Sequence, residues 1–88
     1  VSERAITVVN ALGLHARAAA RFVGLAGQYR SRISVTRGQR TVDGKSILGL
    51  LFLAAARGTE LVIAAEGDDA GPALDALCAL VARGFEDA

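Results

Sequence analysis

Ile6–Gly27 reads ITVVNALGLHARAAARFVGLAG, and its hydrophobic period changes midway. From Ile6 to Val9 the period is two. Ile6 and Val8 face one way and Thr7 and Val9 the other, as in a strand. Asn10 and Gly13 are turn formers. From Ala16 to Ala26 the period becomes helical. Ala19, Phe22, Val23 and Ala26 fall at i, i+3, i+4 and i+7 in one apolar stripe, and Gly27 follows as a C-terminal cap.

Outward from this strand–turn–helix unit the alternation returns. Arg32–Arg37 sets Ile33 and Val35 on one face and Ser34 and Thr36 on the other. Gly38 marks a tight turn and Gln39–Val42 a short partner strand, which together predict a β-hairpin. DGKS ends it, and Ser46 is placed to cap a second helix over ILGLLFLAA, Ile47–Ala55, which Arg57 and Gly58 close. In Glu60–Glu66, Leu61, Ile63 and Ala65 face one way as a fourth strand. After the loop EGDDAGP, Pro72 suits the first position of a third helix. Its inward stripe is Leu74, Leu77, Cys78, Val81 and Phe85, with Gly84 near its end. The predicted order is βαββαβα. Strands apolar on one side predict a sheet covered on one face, with three helices as the cover: an α+β, open-faced two-layer sandwich.

Eighty-eight residues predict one domain, 1–88. A hydrophobic content of 52% argues for a packed core and against disorder. A net charge of +1 leaves no broad footprint for nucleic acid, and only Arg30, Arg32, Arg37 and Arg40 approach a cluster. Cys78 stands alone, so no intrachain disulfide is available, and it reads as a small buried hydrophobe in a reducing compartment. No Cys/His cluster or EF-hand pattern points to a metal. The longest apolar-rich run, Ile47–Ala56, falls short of the roughly 20 residues of a membrane span. VSERAITVV lacks the apolar core of a signal peptide. A soluble cytoplasmic monomer is expected. The chain starts on Val1, a processed or trimmed start, which leaves open a module cut from a longer protein.

A helix leaves its first backbone N–H groups without intrahelical partners, and that end carries about half a positive charge. It favours anions, phosphate above all. The one histidine, His15, stands at the N-cap position of the first helix. The N–H groups of Ala16 and Arg17 point toward whatever its ring carries, and Arg17 adds a fork of donors for phosphate oxygens. Neutral imidazole is nucleophilic, so a histidine here can take a phosphoryl group, and the labile N–P bond lets it pass the group on. On position alone, a plain helix-start residue in a polar loop competes with this reading.

GLHARAAARF, Gly13–Phe22, resembles the active-site segment of the HPr family, the histidine-containing phosphocarriers of the bacterial phosphotransferase system. The family pattern is Gly-Leu-His-Ala-Arg-Pro-Ala. GKSILGLL, Gly44–Leu51, is similar to the family's regulatory serine segment, and AARGTELVIAAEGDDA, Ala55–Ala70, to its stretch through the fourth strand. The resemblance covers nearly the whole chain. It implies an open-faced β-sandwich, a four-stranded antiparallel sheet with three helices on one face. It implies that His15 accepts phosphate on Nδ1 from phospho-enzyme I, which phosphoenolpyruvate charges. The group then moves to a histidine of a IIA protein or domain, with Arg17 as the active-site arginine. Such a chain is a covalently phosphorylated carrier, not an enzyme, and needs no cofactor. Ala18 stands where the family has proline. Proline would stiffen the first turn and lack an N–H, whereas alanine starts a helix well and keeps that donor.

The second helix holds more apolar residues than one face uses. Leu50 and Leu53, with Ala54, serve the core. Ile47, Leu48 and Leu51 are then a partner-docking patch or part of a thick core. By the resemblance they share one face with His15 and Arg17. Ser46 reads as an N-cap worth about 1 kcal/mol, and by the resemblance as a serine phosphorylated by a dedicated kinase in some lineages. Enzyme I, IIA proteins and that kinase with its phosphatase are the expected partners. Sugar uptake and a nitrogen-related regulatory branch both stay open. The rival reading is a regulatory protein-binding module that acts through Ser46 phosphorylation without carrying phosphate. A ferredoxin-like ligand-binding domain shares the element order.

Overall fold

The computed structural model describes residues 2–86. The elements are β1 (Ser2–Thr7), α1 (Ala16–Ala26), β2 (Arg32–Arg37), β3 (Arg40–Asp43), α2 (Ile47–Phe52), β4 (Glu60–Glu66), α3 (Ala70–Ala82) and a 3-10 turn, Gly84–Glu86. The four strands form one antiparallel sheet in the order β1-β4-β2-β3. The three helices cover one face, so the architecture is the open-faced sandwich in the order βαββαβα.

Register explains which side is buried. Ile6 stands opposite Leu61, Ile33 opposite Ala65, and Val35 opposite both Ile63 and Val42. Ile33, Val35, Leu61, Ile63 and Ala65 are fully buried under the helices. They meet Phe22 from α1, Leu50 from α2, and Leu77 and Val81 from α3. Each large apolar side chain removed from water contributes about 1.5–3 kcal/mol. On the other face, Ala5, Val62, Thr36 and Thr41 lie in one row of small side chains, and the two threonine hydroxyls share a hydrogen bond of 2.8 Å.

Several boundaries differ from the sequence expectation. β1 spans Ser2–Thr7, because Ser2 to Thr7 pair in register with Ala65 to Glu60; Val8 and Val9 lie beyond it. Val8 is buried all the same, and exchanges backbone hydrogen bonds with Thr59 (2.9 Å) and Gly58 (2.8 Å). β3 starts one residue later than expected, since Gly38 and Gln39 together make the turn, with Gly38 at φ +59°.

α2 stops at Phe52, three residues before Ala55. Leu53 caps it and Ala54 turns left-handed at φ +51°, with the N–H groups of both bonded to Leu50 and Leu51 carbonyls. Leu50 and Leu53 are buried as expected, but Ala54 is exposed and takes no part in the core. α3 starts at Ala70, so Pro72 is its third residue, still within the turn whose N–H groups lack helical acceptors. Phe85 is fully buried but belongs to the terminal turn, after Gly84 has broken α3 at φ +67°.

Candidate functional site

The site begins with a tight turn. The Gly13 N–H donates to the Asn10 carbonyl at 3.1 Å, and Asn10 Nδ2 donates to the Gly13 carbonyl at 2.8 Å. The His15 N–H donates to that same Gly13 carbonyl at 2.9 Å, closing a γ-turn over Leu14. The Leu14 N–H reaches the Ala55 carbonyl at 2.9 Å, and the Leu14 side chain is buried. Gly13 is required twice over. Its φ is +68°, and a Cβ there would lie 2.4 Å from the Ala55 oxygen. The entry to α1 is therefore stitched to the segment leaving α2.

His15 is the N-cap residue of α1, in extended conformation (φ −85°, ψ −178°), and its side chain makes no capping hydrogen bond. Its carbonyl accepts the first helical bond, from the Ala19 N–H at 2.8 Å. The N–H groups of Ala16, Arg17 and Ala18 thus precede the first one with a helical acceptor. The His15 side chain is half-buried, Ala16 and Arg17 are exposed, and Ala18 is buried against the core. The result is a nucleophile beside open backbone donors and a guanidinium two residues on. That arrangement suits an anion carried on the imidazole.

Ser46 caps α2: its Oγ accepts the Gly49 N–H at 3.0 Å and its carbonyl the Leu50 N–H at 3.0 Å. Beyond it, Ile47 and Leu48 are exposed, Leu48 by 80%, while Leu51 is half-buried. Of the other exposed apolar residues the two most open are Leu12 at 71% and Phe52 at 63%. Sequence reading passed over both. The signal for Phe52 was its place four residues after Leu48, on the same helical face. Phe52 has company: the Arg40 guanidinium lies 4.4 Å from its ring centroid, and Arg40 Nη1 donates to the Phe52 carbonyl at 3.0 Å. Arg37 Nη1 donates to the Leu53 carbonyl at 3.2 Å. Two hairpin arginines therefore serve the carbonyls at the end of α2 that the helix leaves unbonded.

Cys78 is buried in α3, and burial pushes its thiol up from the usual range, partly opposed by Arg4. Among the described residues no group of three or more His, Cys, Asp or Glu gathers that could hold a metal. No helix among them is long and apolar enough to cross a membrane.

The fold and the histidine-bearing helix start define a small phosphocarrier domain. Residues 2–83 match the family model of the PTS HPr component phosphorylation site, and the chain belongs to the HPr family. It is 48% identical over 83 residues to phosphocarrier protein HPr of Pseudomonas aeruginosa, covering 93% of this chain and 92% of that one. It is 42% identical over 86 residues to phosphocarrier protein NPr of Shewanella violacea, covering 98% and 94%. The crystal structure of HPr-C-His from Thermoanaerobacter tengcongensis superposes with a TM-score of 0.95 at 38% identity, covering 100% of this chain and 99% of that one.

Proposed function

We propose that residues 1–88 act as a single cytoplasmic phosphoryl-carrier domain that takes its group on His15. A neutral imidazole nitrogen attacks the phosphorus carried by phospho-enzyme I. The new N–P bond forms as the donor's bond to phosphorus breaks, and the same exchange in reverse direction delivers the group to a histidine of a IIA protein or domain. The group originates in phosphoenolpyruvate. The chain is an intermediate in the relay and not its catalyst. The observation that carries this reading is the extended, uncapped N-cap geometry of His15 at the start of α1. It leaves the backbone donors of Ala16 and Arg17 and the Arg17 side chain for the phosphoryl oxygens.

Ile47, Leu48 and Leu51 form the docking patch in this reading. Donor and acceptors use it in turn, and a monomer keeps it uncovered. A modest apolar patch with a charged rim suits such transient contact. Incubation with phosphoenolpyruvate and enzyme I should add one phosphoryl group, seen by intact mass, and mild acid should remove it. An unmodified mass would contradict the carrier reading.

A second role belongs to Ser46, whose Oγ already caps α2 through Gly49. Phosphorylation there by a serine kinase would place about two negative charges beside Ile47 and Leu48 and repel acidic partners. An acid-stable phosphate formed with the kinase and ATP tests that role separately.

A further inference from the structure

We infer that Asn10 is a positioning residue for phosphoryl transfer; this rests on the reading of His15 as the phosphoryl acceptor. Asn10 is only 7% exposed, an unusual place for an amide side chain unless it is holding something. What it holds is the Gly13 carbonyl, at 2.8 Å from Nδ2. The same oxygen accepts the His15 N–H at 2.9 Å. Asn10 and His15 are thus joined through one shared acceptor. Asn10 fixes the direction of the Gly13 carbonyl, and that carbonyl fixes the plane of the peptide entering His15.

The other backbone group of His15, its carbonyl, is fixed by Ala19 at 2.8 Å. Without the Asn10 link the helix would still hold one side of the histidine, while the Gly13 carbonyl that accepts its N–H across the γ-turn would lose its second donor. A rotation of this peptide swings Cβ, and with it the imidazole, relative to the helix N–H groups that would receive the phosphoryl oxygens.

Asn10 is itself backed from the far end of the chain. A Cβ on Gly84 would lie 3.2 Å from the Asn10 Cβ, tight enough to push the two apart by a few tenths of an ångström, and Gly84 holds φ +67°, which favours glycine. Arg21, one helical turn after Arg17, pins that terminal turn by donating from Nη1 to the Phe85 carbonyl at 2.7 Å. The buried Phe85 ring anchors it from below. The clamp on His15 therefore draws on the first strand's exit, the last turn and α1 together.

Asn10→Asp keeps the shape of the side chain and removes the donor toward Gly13; Asn10→Ala removes the side chain. Both variants are to be compared with the unmodified protein in transfer from phospho-enzyme I, with melting curves as a control on folding. The docking residues are untouched, so the KM of enzyme I for the carrier should stay within about twofold while kcat of the transfer falls about 10- to 100-fold, the scale set by small misplacements of a reacting group. Hydrogen exchange of the His15 amide should speed up in both variants while exchange at Val35 and Ile63 is unchanged. Unchanged kcat in folded variants, or a loss expressed only in KM, would overturn the proposal. So would an unchanged His15 amide, or failure of both variants to fold, which would make Asn10 a purely structural residue. Failure of the unmodified protein to take phosphate would instead sink the carrier reading, and amide exchange would still report on the clamp.

Discussion

Arg17 and Ala18 occupy consecutive positions in the first turn of α1 but do opposite things. Arg17 is exposed and Ala18 is buried. An exposed guanidinium beside a phosphoryl group affects transfer and contributes little to folding. Arg17→Ala should slow delivery to a IIA acceptor about 10-fold or more, as loss of a preorganised charge at a reacting group does, with the melting temperature nearly unchanged. A normal transfer rate would show that the helix N–H groups suffice. Ala18 is the third helical residue, so its N–H has no acceptor within the helix. Ala18→Pro should therefore keep the helix start, and fixing φ in the unfolded chain should stabilise the protein by about 0.4–1 kcal/mol. A thermal melt paired with the rate of phosphate loss from His15 checks it. Clear destabilisation or much faster loss would show that the Ala18 N–H has a role of its own.

Among the elements, α2 ends in backbone strain, as does the terminal turn, where Phe85 and Glu86 also hold positive φ at 58° and 60°. Ala54 follows the capping Leu53 in left-handed conformation at φ +51°, a place where glycine is the usual residue. An L-residue there costs about 1–2 kcal/mol. Ala54→Gly should stabilise the protein by roughly 0.5–1 kcal/mol in denaturant unfolding, since the relief outweighs the added freedom of the unfolded glycine. A loss of stability would mean that the methyl group has a packing role. The same residue shows why part of the fold escaped sequence reading. LFLAA has no glycine or proline to stop a helix, so the apolar run reads as helical through Ala55. The stop comes from tertiary contact instead, with Arg37 and Arg40 on the terminal carbonyls and Leu14 on the Ala55 carbonyl. β1 escaped in its first half for a different reason. SERA carries no alternation of apolar residues and is strand only because β4 offers it an edge. By contrast α1, β2 and β4 were legible to the residue, because each has a clean period bounded by turn formers. At the site, His15 and Ser46 were legible as helix starts. Asn10, Leu12 and Phe52 were not, because burial of an amide and exposure of apolar groups depend on what the rest of the chain brings alongside.

At the scale of the whole molecule, the sheet and α3 are tied together by charge. Arg4 of β1 meets Asp75 of α3 at 2.8 Å, an exposed pair of small worth. Asp69, just before α3, does more. Its carboxylate accepts the Ser31 hydroxyl, the Arg30 N–H at 2.8 Å and the Ser31 N–H at 2.9 Å, joining the α3 entry to the start of β2. The Ser31 hydroxyl first, and the Arg30 amide next, hold this carboxyl below the usual carboxylate range. An unfolded aspartate titrates near about 4. The stability from Asp69 is thus fully present above that value and is lost as pH falls from it through the lower folded value. Asp69→Asn should lower the melting temperature at neutral pH, and the gap to the unmodified protein should close on acidification below about 4. A gap that stays constant with pH would refute this assignment. The sheet, the helix start and the exposed face of α2 converge on one claim, that His15 carries the phosphoryl group. The most direct test is to incubate His15→Ala and the unmodified protein with phosphoenolpyruvate and enzyme I, and to weigh both intact after confirming that the variant melts cooperatively. One acid-labile phosphoryl group is expected on the unmodified protein and none on the variant; the same labile group on His15→Ala would overturn the assignment of His15.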